Sequence, residues 1–512
     1  MRRTLAAGLA LLTALVLVGQ TPASAEDEQP AAQQPSPAAP PTPTEAEAER
    51  TLEVATQVLS GNATATDPSP TLALRDLRQA LPALGPAERR SARALLARPT
   101  DGPRDDFGDG YTVPSVKRCS AHVCVHWVRS TPDAPATPAW VDTTLTQLNR
   151  VWRLEVGRMG FRAPLPDGTR GGNAKLDVYL KDVGAKGYYG YCASERRAKG
   201  YTFSGYCVLD NDYDPVQFGG APLDSLRVTA AHEFFHAVQY AYDAAEDPWF
   251  MESTATWMEE RFADGVNDNR QYLPYGQLGQ PQSALDSFAS GGFQQYGNWI
   301  WWEFLSDRFG NDVVRTVWRR AASYPGAPDD YSTQALVRVL RTKGGFTRNF
   351  GVYAASNTAP AAWYPEGADW TGAPMAASYT LQTGTPGTGS QSVTANHMAS
   401  RSVRIVPGST LSAPGWTLRL SVDGPASQAS PAVVVVVAGK DGTQTRTRVT
   451  LDAGGRGTGQ FAFGYTDVAS VTVTMANAST RFACWRGTDL SCKGTPRDNG
   501  KKFAYSAVAV QP

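Results

Sequence analysis

Apolar residues recurring at alternating steps of three and four predict a helix over residues 224–243. Val228, Ala231, Phe235, Val238 and Tyr242 fall on one stripe of it that should be buried. The same period marks Glu45–Leu59, 71–81 and 86–97 near the start of the chain, then 140–159. Period-two alternation predicts strands at 123–128 and 175–180, and the aromatic runs 187–192 and 205–210 read as β-segments just ahead of the 224–243 helix. Helical patterning returns at 248–262, 296–309, 312–322 and 332–342. Past residue 374 short alternating or β-branched runs recur at 391–395, 401–406, 417–422, 433–437, 445–451, 468–474 and 503–510, separated by Gly, Ser and Asp clusters. That texture predicts an all-β sandwich, in which the five consecutive valines 433–437 form a strand buried on both faces. The expected fold class is α+β: a mixed sheet and then a helical subdomain over 111–373, followed by a β-sandwich over 374–512.

The first hundred residues divide by composition. Arg2 and Arg3, the apolar run 5–18 and Ala23-Ser24-Ala25 make a signal peptide over 1–25, cleaved after Ala25, and the apolar run is too short to span a membrane. Residues 26–44 are rich in Pro and Ala and read as a disordered linker. The three short helical patterns within 45–110 read as a helical propeptide or an accessory region. The expected product is a secreted, extracellular protein with no membrane span. The 48 Lys+Arg balance 48 Asp+Glu without a basic stripe, which argues against a nucleic-acid partner.

In an exported chain, six cysteines in three close pairs predict disulfides Cys119–Cys124, Cys192–Cys207 and Cys484–Cys492. The alternative is a metal site built from Cys119, His122, Cys124 and His126. His397, isolated in the β-rich region, reads as a loop or surface residue.

The predicted helix over 224–243 carries the chemistry. His232 and His236 lie one turn apart and project the same way, with Glu233 beside them, in the H-E-x-x-H pattern. Two neutral imidazoles hold Zn²⁺ without cancelling its charge, and the carboxylate can accept a proton from a water that the metal acidifies. A third ligand is needed. The candidates are Glu252, in Phe250-Met251-Glu252-Ser253-Thr254-Ala255-Thr256-Trp257, and Glu259, Glu260 and Asp243. A metzincin site is excluded, because Gln239 and Tyr242 stand where that motif needs Gly and His.

With these two segments in view, the chain resembles the gluzincin group of zinc metallopeptidases, and within it a poorly characterised branch of secreted bacterial proteins. The resemblance implies a zincin-like core whose last sheet strand runs beside the cleft, where an extended peptide could add. It implies Glu252 as third ligand, Glu233 as general base and a donor for the oxyanion. Gln295-Tyr296-Gly297 is similar to the phrase that supplies a catalytic tyrosine in the aminopeptidase branch. Tyr188, Tyr189 and Tyr240 are rival donors, and Tyr296 could instead pack against Trp299, Trp301 and Trp302, themselves expected in the core. The expectation is a zinc-dependent peptidase acting on protein or peptide, its β-domain a candidate for cell-wall or glycan contact. The alternatives are a non-catalytic, zinc-containing surface-binding protein and a zinc hydrolase of non-peptide amides.

Overall fold

The computed structural model describes residues 41–61, 70–101, 110–289 and 292–511. The expected signal peptide, nearly all of the expected linker and residues 102–109 of the expected helical region lie outside them.

Three helices open the described chain: α1 (Glu45–Leu59), α2 (Thr71–Ala80) and α3 (Pro86–Leu95). α1 is capped at its start by Thr44 and Glu47, each side chain accepting the other residue's backbone N–H. A mixed five-stranded sheet follows, made of β1 (Ser115–Cys119), β2 (Val123–Val128), β3 (Leu176–Lys181), β4 (Gly190–Arg197) and β5 (Phe203–Asp210), in the order β1-β2-β3-β5-β4. β2, β3 and β5 run parallel, while β1 and β4 are antiparallel edges. Period-two alternation divides the sheet's side chains. Val123, Val125, Val178, Cys207 and Leu209 join the main core. Tyr179, Tyr191, Tyr206 and Val208 join a separate cluster with Leu74, Leu77, Ala92 and Leu95 of α2 and α3. The N-terminal helices therefore cover one face of the sheet, and the helices described next cover the other.

α4 (Pro138–Trp152) stops short of the predicted 159, its tail widening into a π-turn over Arg153–Arg158. After the short α5 (Pro215–Phe218) comes α6 (Pro222–Tyr240), started by a proline at its first position. The expected single buried stripe is too narrow a description of α6. It packs against β4, β5, α4 and the next helix, α7 (Pro248–Ala263), so every residue from Val228 to Tyr240 is buried. Phe235 is fully buried there and meets Phe161 edge-on; truncating such a side chain to Ala costs about 3–5 kcal/mol.

The helical half continues through α8 (Gln294–Gly297), α9 (Trp299–Phe309), α10 (Asp312–Ala321), α11 (Ser332–Leu340) and α12 (Phe346–Ser356), the last missed by the pattern. Trp299, Trp301 and Trp302 are fully buried core residues. Two further sheets are built from β6 (Ala377–Leu381), β7 (Gln391–Ala395), β8 (Ala399–Pro407), β9 (Thr417–Asp423), β10 (Pro431–Gly439), β11 (Gln444–Val449), β12 (Arg456–Ala462), β13 (Val468–Asn477) and β16 (Lys501–Val510). One has the order β11-β10-β13-β8-β6 and the other β12-β9-β16-β7. The two-residue strands β14 (Phe482–Ala483) and β15 (Thr495–Pro496) pair apart. The chain is thus α+β. The valine strand is buried on both sides: Val433 and Val435 enter a core to which both sheets contribute, while Val434 and Val436 meet Ala355 of α12.

All three expected disulfides are present. The alternative Cys/His metal site is thereby ruled out: its thiols are bonded to each other, His122 stacks on Trp152 and His126 Nε2 pairs with Asp177 at 2.7 Å. His397 corrects its expectation. It is buried, with Nε2 2.8 Å from Asp286 Oδ1, because β8's approach docks on the helical half. Among the described residues no helix is long and apolar enough to cross a membrane.

Candidate metal centre

α6 and α7 pack side by side and bring three ligand atoms together. His232 and His236 lie one turn apart on α6, and Glu252 sits in the second turn of α7. Glu252 Oε2 is 3.2 Å from His232 Nε2 and 3.6 Å from His236 Nε2, and all three side chains are buried. Donor atoms of the three fall within 4.8 Å of one another.

The donor set fits a zinc ion. His236 Nε2 and Glu252 Oε1 are buried with no hydrogen-bond partner among the described residues. Orphaned buried polar atoms are costly, and two of them converging beside a second imidazole suit a cation. Each histidine is also turned the right way. His232 Nδ1 meets Glu259 Oε1 at 2.6 Å, and His236 Nδ1 meets Gln239 Oε1 at 2.7 Å. Gln239 is itself oriented, because its NH₂ donates to Met251 O and Thr254 Oγ1. With Nδ1–H directed at an acceptor, each ring presents Nε2 as a lone-pair donor.

Electrostatics follow the geometry. Burial opposes ionisation of Glu252, but the two imidazoles outweigh it and hold the carboxyl at about 2. Burial also opposes protonation of His232, yet Glu252 and Glu259 raise its basicity well above the usual value. Burial pushes Glu259 up to about 7 against the pull of His232. Glu233 is raised by burial too, opposed by both imidazoles.

A small pocket, partly open to solvent, lies against His232 and Glu233. Val228, Thr229, His232 and Glu233 of α6 form one side, Tyr189, Tyr272 and Tyr296 supply aromatic walls, and Glu259 and Asp268 complete the lining. Tyr296 is buried, its ring centroid 6.0 Å from that of His232 and 5.3 Å from that of Tyr272. Its neighbour must be glycine: a Cβ on Gly297 would collide with the Tyr272 carbonyl and the Gly276 backbone. Of the rival tyrosines, Tyr189 lines the cavity. Tyr188 donates to Val58 O and Tyr240 to Cys192 O, so both hydroxyls are engaged elsewhere.

The rival ligands are placed elsewhere as well. Asp243 Oδ1 accepts the Ala245 N–H at 2.7 Å. Glu260 bonds Asn269 and groups with Asp264 and Glu366, where Arg270 already pairs with Glu366. Glu259, two turns beyond Glu252, supports a histidine rather than joining the donor cluster. Sequence reasoning missed Gln239 and the role of Glu259; a Gln three residues after His236 and an acid seven after Glu252, on matching faces, were the available signals.

The edge strand of the sheet, β4, is covered in part. β4's outward groups are already engaged over residues 192–194: Cys192 N–H by Thr71 Oγ1, Cys192 C=O by Tyr240 and Ser194 C=O by Arg78. A peptide could pair with those three groups only by displacing the Thr71 and Arg78 side chains of α2 and the Tyr240 hydroxyl.

Residues 105–354, just under half of the chain, match a family of unknown function (DUF6055). That stretch contains α6, α7 and Tyr296 and excludes α1–α3 and the two C-terminal sheets. No curated protein matches the sequence.

Proposed function

We propose that the protein is a secreted, zinc-dependent metallopeptidase of gluzincin type, with a zincin-like core followed by a C-terminal β-sandwich. The observation that carries this reading is the convergence of His232, His236 and Glu252 with two buried ligand atoms left unpaired, next to Glu233 and a cavity. The three disulfides support export.

His232, His236 and Glu252 would hold one zinc ion, whose Lewis acidity would polarise the scissile carbonyl and acidify a water. Glu233 takes the proton of the attacking water and delivers it to the leaving amine. Glu259 and Gln239 keep the two imidazoles in register throughout. Tyr296, on the cavity wall near His232, is the donor that meets charge developing on the carbonyl oxygen. The substrate is a protein or peptide, and the β-sandwich is the part available for cell-wall or glycan contact.

The test is metal analysis of the purified protein together with digestion of an unbiased peptide library. Zinc near one equivalent and cleaved peptides are expected. Glu233→Gln should keep zinc but lose hydrolysis by on the order of 10²–10⁴-fold. A zinc-free wild type, or a Glu233→Gln variant cleaving at the wild-type rate, overturns the reading.

A further inference from the structure

We infer that the N-terminal helical segment is a permanent part of the site, in which Thr71 is a positioning residue for Glu233; the role of Glu233 rests on the function proposed above. Thr71, at the first position of α2, is fully buried. Its hydroxyl donates to Glu233 Oε2 at 3.0 Å and its oxygen accepts the Cys192 N–H at 2.9 Å. The hydroxyl thus bridges the strand backbone and the carboxylate of the base. Cys192 is an immobile anchor, paired along β4–β5 and bonded to Cys207. A glutamate carries three side-chain torsions, and α6 fixes only where they start. Thr71 holds one carboxylate oxygen and leaves Oε1 to exchange the proton.

A segment touching the base could instead be a removable plug. Three observations favour a permanent layer. The N-terminal helices share a continuous apolar cluster with Tyr179, Tyr191, Tyr206 and Val208 of the sheet, which their departure would expose. Arg98, fully buried as a side chain, is ion-paired with Asp167, Asp177 and Glu195, whose side chains are at most 3% exposed. Removing it would take from Asp167 its ion pair and leave Asp177 with His126 and Glu195 with the half-exposed Arg170. Arg75 donates to Glu246 O and to the sulfur of Met251, the residue before Glu252. The segment thus braces the base and the start of the third-ligand helix together.

The experiment compares Thr71→Val and Thr71→Ser in the full exported protein, using a peptide that the wild type cleaves. Thr71→Val keeps the shape and loses the hydroxyl; Thr71→Ser keeps the hydroxyl. Thr71→Val should lower kcat about tenfold or more with KM and zinc content unchanged, and Thr71→Ser should restore most of it. Wild-type kcat in Thr71→Val, or equal impairment in Thr71→Ser, with an active wild type, overturns the positioning role alone. A wild type that cleaves nothing overturns that role together with the proposed function. A second arm needs no hydrolysis. After cutting at a protease site engineered between Asp101 and Gly110, the two pieces should co-elute on gel filtration with zinc retained. Clean dissociation that leaves a folded, zinc-loaded remainder overturns the permanent layer.

Discussion

His232 Nδ1 lies 2.6 Å from Glu259 Oε1, both side chains buried. The two residues belong to different helices, so this bond joins α6 to α7 as well as fixing the imidazole. It turns Nε2 toward Glu252 and raises the basicity of the ring. Glu259→Gln should therefore weaken zinc binding by about 10–100-fold without unfolding the protein. Competition with a chromophoric chelator measures this, and an unchanged affinity would mean that packing alone orients His232.

Glu252 and Glu233 should separate in metal content. Glu252→Ala removes one of three donors and should lower both zinc occupancy and activity, whereas Glu233→Gln should lower activity alone. Elemental analysis of the two variants after identical dialysis distinguishes them. Full zinc retention in Glu252→Ala would place the third ligand elsewhere.

Arg98 is the only arginine or lysine paired with all three of Asp167, Asp177 and Glu195 among the described residues. His126 also meets Asp177, and the half-exposed Arg170 meets Glu195. Arg98→Met should destabilise the protein by about 3–5 kcal/mol, read from urea unfolding at pH 7. A loss under about 1 kcal/mol would show that water or protonation neutralises the cluster at little cost.

Glu303, outside the donor cluster, gives a pH dependence of its own. Burial, only partly offset by Arg261 at 2.8 Å, pushes its carboxyl up to about 7. The folded state therefore binds this proton more tightly than the unfolded chain, whose value is about 4.3. The resulting stability is fully present below about pH 4 and is lost as pH rises through about 7. Wild type should lose about 4 kcal/mol over that range relative to Glu303→Gln, which cannot ionise. Parallel unfolding curves at pH 4 and pH 8 test it; an equal pH dependence in both proteins contradicts it.

Cys192–Cys207 closes a short loop and ties β4 to β5 beside α6. Replacing both by Ser should cost about 3 kcal/mol, chiefly through a freer unfolded chain. Thermal unfolding of the double variant measures this, and an unchanged midpoint would indicate that strand pairing alone holds the edge.

Local pattern determined much of this protein. Glu45–Leu59, Val123–Val128 and Gln391–Ala395 were legible to the residue, because each is bounded by its own turn or cap chemistry and its period is set by neighbours in sequence. The pair His232 and His236 was legible for the same reason, since one helical turn fixes their relation whatever surrounds them. The close spacing of the cysteines also gave the pairing of the six sulfurs.

Relations between elements were not written in any local period. Whether Glu252 or Glu259 meets the histidines depends on how α6 and α7 are set against each other, and both acids share one face of α7. Packing placed Glu252 among the donor atoms and Glu259 behind His232. Thr71 looked like the start of an unremarkable amphipathic helix, and only the covering of β4 by α2 brings it to Glu233 across 162 residues of chain. His397 looked exposed because its burial comes from Asp286, 111 residues away. Sequence sets the period of each segment, but a buried polar group's partners come from whichever surface the fold packs against it, and that is decided only when the layers close.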